Sequence, residues 1–127
     1  MNNSEYTKYV LQTESADLDT IGDRLKPKEN IRLLHASMGI VTEAGELVDA
    51  LKKHIFYGKP LDTVNLIEEL GDLLWYIEIA MDELDTDIHE VRRINIDKLK
   101  TRYGESFSSK RALNRDLNKE VTAMKGK

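Results

Sequence analysis

Cysteine is absent from the 127 residues, which excludes a disulfide scaffold, a thiolate metal site and thiol catalysis. The same absence fits a reducing compartment, so the cytoplasm is the expected location. No apolar run approaches the length of a membrane span, and the start, Met1 to Glu5, lacks the basic and apolar regions of a signal peptide. An excess of positive charge is also missing: the net charge of −4 argues against a large basic nucleic-acid footprint. There is no low-complexity tract and no repeat of solenoid type. The two prolines, Pro27 and Pro60, both stand in connections. What remains is one domain, long enough for a core and too short for two.

Hydrophobic spacing and capping residues predict an all-α chain. A first helix over residues 4–16 starts at a Ser4 cap, and a polar connection, residues 17–29, carries Gly22 and Pro27. Asn30 is the expected cap of a long second helix that ends near Gly58. Asp62 caps a third helix to about Leu84, and Thr86 caps a fourth to about Tyr103, with Gly104 as its stop. Residues 105–127 show a weaker helical pattern and end in a lysine-rich tail expected to be mobile. The reading is thus a bundle of four main helices: residues 1–30 as N-terminal helix and connection, 31–103 as the functional helices, and 104–127 as a C-terminal segment.

Two acidic patterns stand out on the second and third helices. Glu43-Ala-Gly-Glu46 and Glu69-Leu-Gly-Asp72 each place two carboxylates three residues apart, neighbours on one helical face. Each pair borders a broad apolar arc: Leu33, Ile40, Leu47 and Leu51 on one helix, Leu66, Leu73, Ile77 and Met81 on the other. Ala36, Gly39 and Ala50 leave room beside the acids for an ion, a ligand or a facing helix. Acids at the edge of an amphipathic stripe are ordinarily solvated boundary residues. Two matched pairs on consecutive helices point beyond that, because four converging carboxylates repel one another unless a cation holds them ionised. An all-oxygen cage suits hard divalent ions, Mg²⁺ above all and Mn²⁺ as an alternative, and Mg²⁺ usually shares its site with phosphates.

The fourth helix carries polar groups within its apolar stripe. Asn95, Lys98 and Arg102 interrupt Ile88, Val91 and Leu99, which points to an anionic ligand; Lys98 and Arg102 snorkelling to solvent is the plain alternative. Arg102 can also brace a carboxylate. Lys53, two turns past Glu46, and Tyr76, on the acid sector of the third helix, are further candidates for contact with a substrate. Glu68 competes with Glu69 for the ligand role. The apolar arcs of the second and third helices exceed what one short helix can cover, so association into a dimer or larger oligomer is expected.

Glu43-x-x-Glu46 followed by Glu69-x-x-Asp72, in the wording Glu-Ala-Gly-Glu-Leu and Glu-Glu-Leu-Gly-Asp-Leu-Leu-Trp, resembles the all-α nucleotide pyrophosphohydrolases of the MazG-like superfamily. Asn95-x-x-Lys98-Leu-x-x-Arg102-Tyr103 extends the resemblance, which runs from about Leu33 to Asp116. The resemblance implies a helical homodimer or homotetramer that binds Mg²⁺ through Glu43, Glu46, Glu69 and Asp72. It also implies hydrolysis of a nucleoside triphosphate to the monophosphate and pyrophosphate, with Asn95 and Lys98 holding the phosphates. One of the four acids can serve as base. A ferritin-like di-iron bundle is disfavoured, because none of His35, His54 and His89 has a Glu three residues before it. A non-enzymatic helical interaction module that keeps the fold is the alternative reading.

Overall fold

The computed structural model describes residues 2–126, and every regular element among them is an α-helix. The helices are α1 (Asn3–Thr13), α2 (Leu18–Leu25), α3 (Lys28–Tyr57), α4 (Thr63–Glu83), α5 (Ile88–Tyr103), α6 (Ser109–Leu113) and α7 (Leu117–Lys125). The C-terminal ends of α3, α4 and α5 and the start of α4 lie where the cap chemistry put them. Gly58 closes α3 in the left-handed region at φ 66°, Asp62 accepts the Asn65 N–H at 3.0 Å to open α4, and Gly104 ends α5 at φ 68°.

Several boundaries differ from expectation for local reasons. Asn2, not Ser4, caps α1, because Glu5 three residues on completes a reciprocal capping box. The connection over 17–29 contains α2, opened by Asp17, whose carboxylate accepts the Thr20 N–H. A single Gly22 lowers helix propensity there without breaking the turn. Helix α3 begins at Lys28, directly after Pro27, whose missing N–H is harmless at a helix start. Asn30 instead donates its side-chain amide to Arg24 O at 2.6 Å, tying α3 to α2. Asp87 rather than Thr86 caps α5, accepting from the N–H groups of His89 and Glu90. The lysine-rich end is helical through Lys125; Lys127 lies outside the described residues.

The helices pack as two hairpins. Helix α3 lies antiparallel against α4, with Arg32 at one end bonded to both Asp82 and Glu83 at 2.7 Å. Ala36 and Gly39, fully or nearly buried small residues, let α4 approach closely, and Met81 of α4 is buried as well. Helix α5 packs on α7, with α6 between them in sequence, and no comparable packing joins the two hairpins among the described residues. The four main helices therefore do not close into one bundle within the chain.

The second hairpin is held by a buried ion cluster. Glu120, only 2% exposed, receives both Arg102 Nε (2.9 Å) and Nη2 (2.7 Å), and Arg115 Nη2 at 2.8 Å. The two guanidinium groups hold its carboxyl well below the usual range, at about 2. Large apolar side chains remain open on both hairpins, including Val41, Val48, Ile67, Leu70, Leu74 and Val91. The chain exposes 10500 Å². A compact monomer of 14.6 kDa would expose only about 6,900 Å².

Candidate metal centre

The antiparallel register of α3 and α4 assembles the acidic residues. The pairing that sets Arg32 against Glu83 and Gly39 against Tyr76 continues one turn further to bring Glu43 of α3 to Asp72 and Glu69 of α4. One carboxylate oxygen from each of Glu43, Glu69 and Asp72 lies within 4.8 Å of the others. Their environments differ. Glu69 is 6% exposed, Glu43 is half-buried and Asp72 faces solvent. Burial, followed by the charges of Glu46, Asp72 and Glu69, pushes the Glu43 carboxyl up from its ordinary value; a long 3.4 Å bond from Thr42 Oγ1 opposes this weakly.

Glu46 stands outside this group of three, one turn along α3 and exposed, although its charge still acts on Glu43. Glu68 is exposed and takes no part, because the helix turns Glu69 toward α3 and Glu68 away from it. The candidate donor set is therefore three carboxylates, hard oxygen donors of mixed burial, open on the Asp72 side. Those features fit a divalent ion of the Mg²⁺ or Mn²⁺ class that also needs room for water and phosphate oxygens.

The remaining candidates are dispersed. Lys53 is committed to Asp49 at 2.7 Å, but it also lines a cleft of about 520 Å³ at the α3–α4 turn with Lys59, Asp62, Thr63 and Asn65. Tyr76 lies over Gly39 and meets the His35 ring edge-on at a centroid distance of 5.6 Å and the Trp75 ring edge-on at 4.9 Å. Asn95, expected on an inward face, is exposed in the single chain, and Lys98 is half-buried on α5. Neither touches the acids within one chain, since α5 belongs to the other hairpin. Arg102 is the anchor of Glu120, so it braces a carboxylate rather than standing free for phosphate. A larger open cleft, about 750 Å³, runs between α5 and α7, where Arg93 is held by Glu90 and Asp97, and Lys119 by Asp116.

One contact had no place in the sequence reading. Asn65, one turn before Glu69 on α4, donates its side-chain amide to Glu69 Oε1 at 2.8 Å. The i, i+4 spacing of an amide and a carboxylate on one helix is the signal that carried it.

Residues 34–107 match the family model described as the MazG nucleotide pyrophosphohydrolase domain. The "Gene 37 protein" of Mycobacterium phage L5 is 34% identical over 74 residues, covering 55% of this chain and 65% of that protein. The chain thus matches just under two thirds of that relative's length. No solved structure matches.

Proposed function

Because the chain belongs to the MazG nucleotide pyrophosphohydrolase domain family, we propose that it hydrolyses a nucleoside triphosphate, ribo or deoxy, to the monophosphate and pyrophosphate, with Mg²⁺ or Mn²⁺ as cofactor. The observation that carries this reading is the convergence of Glu43, Glu69 and Asp72 from two helices within 4.8 Å. A bound divalent ion there would neutralise phosphate charge and so favour attack by water. In the overall reaction the α–β phosphoanhydride bond breaks, water supplies the oxygen of the new P–O bond, and pyrophosphate leaves.

The side chains divide this work. Buried Glu69 and half-buried Glu43 form the fixed side of the site, while exposed Asp72 faces the direction from which substrate arrives. Glu46, outside the group of three but on the same edge of α3, is available to complete the ligand set or to align the water. Lys53 is positioned to meet an anionic group from the α3–α4 cleft by exchanging Asp49 for it. Tyr76 serves as a wall of the site on the Gly39 side.

The same reading includes a second copy of the chain, as a homodimer or homotetramer. An excess of roughly 3,600 Å² per chain over the surface of a compact monomer, or about 7,200 Å² for two chains, is at least as large as the total area that obligate assemblies commonly bury. Covering Val41, Val48, Ile67 and Leu74 in this way would close the bundle and bring Asn95 and Lys98 of α5 toward a site. Phosphate binding by these two residues depends on that closure.

The experiment is pyrophosphate release from each common NTP and dNTP, with Mg²⁺ or Mn²⁺ and with chelator, alongside thermal melting under the same conditions. At least one triphosphate should release pyrophosphate only with metal, and metal should raise the melting temperature by mass action. No release from any nucleotide, together with melting indifferent to metal, would leave a helical interaction module.

A further inference from the structure

Burying the Glu69 carboxylate to 6% exposure costs free energy unless its oxygens find donors. Among the described residues one side chain supplies such a donor. Asn65 Nδ2 bonds Glu69 Oε1 at 2.8 Å, and the second oxygen, Oε2, accepts no side-chain hydrogen bond. The arrangement is rigid at both ends. Asn65 and Glu69 share α4 at i, i+4, and the backbone N–H of Asn65 is itself held by the Asp62 cap at 3.0 Å. A continuous line of hydrogen bonds thus runs from the helix start through Asn65 to the buried acid.

We infer that Asn65 is a positioning residue for Glu69: it grips one carboxylate oxygen so that the other is presented to the divalent ion shared with Glu43 and Asp72. This rests on the metal reading above. The choice of an amide matters. A lysine in the same place would neutralise the acid and compete with the cation, whereas a neutral donor fixes the rotamer and leaves the negative charge for the ion. Asn65 also lines the cleft at the α3–α4 turn, so it forms the wall between that cleft and the acids. Partners that orient metal ligands in this way are commonly worth 10–100-fold in metal affinity.

The test is titration of Mn²⁺ alone into the full chain, followed by calorimetry and by the electron paramagnetic resonance of free Mn²⁺. Asn65→Leu keeps the size of the side chain and removes the donor; it should weaken Mn²⁺ binding about 10–100-fold. Asn65→Gln keeps an amide that reaches Glu69 from the same turn, and should recover most of the loss. Asn65→Ala, a better helix former than Asn, should behave like the Leu variant and covers the case in which Leu disturbs folding. A merely structural role would lower the melting temperature of the metal-free variants and leave Mn²⁺ affinity as in the wild type, which overturns the inference. Wild-type chain that takes up no Mn²⁺ would remove the metal reading itself, a result distinct from equal binding by wild type and variants.

Discussion

Alanine at position 39 sets two effects of opposite sign against each other, and the structure decides between them. In a helix interior Ala is favoured over Gly by about 0.8–1.0 kcal/mol, so Gly39→Ala on an open helix would stabilise. Gly39 is not open. A Cβ placed there overlaps Cδ1, Cε1 and Cζ of Tyr76, and these atoms belong to a stiff ring rather than to the end of a flexible chain. Relieving the overlap requires the ring to swing or α4 to move away, and insertions of this kind cost about 1–3 kcal/mol. A swung ring also gives up its edge-on contact with His35, worth about 0.5–1.5 kcal/mol. The net expectation is destabilisation by about 1–3 kcal/mol. For a chain of this length that lowers the melting temperature by roughly 4–12 °C. Thermal unfolding by circular dichroism, with protein concentration held equal because of self-association, reads it. A double-mutant cycle isolates the cause: in a Tyr76→Ala background the same Gly39→Ala change should become favourable, since only the propensity term is left. A melting temperature of Gly39→Ala at or above the wild type would refute the close approach of Tyr76 to α3.

Two further predictions concern charge. The Glu120 carboxyl is held down from its ordinary value to about 2 by Arg102 and then Arg115, so its contribution to stability is complete above about pH 4.5 and is lost as pH falls from there toward 2. Glu120→Gln should melt lower than wild type at neutral pH and show a flatter stability profile between pH 4.5 and 2; parallel profiles would contradict the ion cluster. Glu43 has the opposite sign, since its folded carboxyl is raised by burial and by its acidic neighbours, so it costs stability once pH climbs above its ordinary range. Glu43→Gln should therefore raise the melting temperature in chelator at pH 7 and abolish the further rise on adding Mg²⁺; an undiminished Mg²⁺ response would exclude Glu43 as a ligand.

Residues that act through their own helix were legible without a structure. Gly58, Asp62 and Gly104 end or start helices because a left-handed glycine or a capping carboxylate works on the backbone within four residues. The acid pairs were legible for the same reason: three residues of helix put Glu69 and Asp72 on one face wherever that helix goes. Local rules also explain the misses. Asn2 was hidden at the extreme end of the chain, and α2 is eight residues long with a glycine inside it, too short for periodicity to emerge from a polar stretch.

What the amino-acid sequence determined by itself was the helical class, the C-terminal ends of the long helices, the family and the set of acids from which the candidate metal site is drawn. The tertiary structure alone decided which acids meet and what each polar group is doing. The register of α3 on α4 selects Glu43, Glu69 and Asp72 and leaves Glu46 outside, because a single turn of offset moves a carboxylate by about 5 Å. Arg102 became the partner of Glu120 because α7 folds back on α5, a contact across 18 residues that no helical period encodes. Asn95 and Lys98 turned out to sit on a separate hairpin from the acids, since the faces of α3 and α4 that could receive them within one chain stay open. The physical reason is the same in each case. Hydrogen bonds within a helix join residues four apart and follow from local sequence, whereas side-chain contacts between helices depend on which faces are buried together.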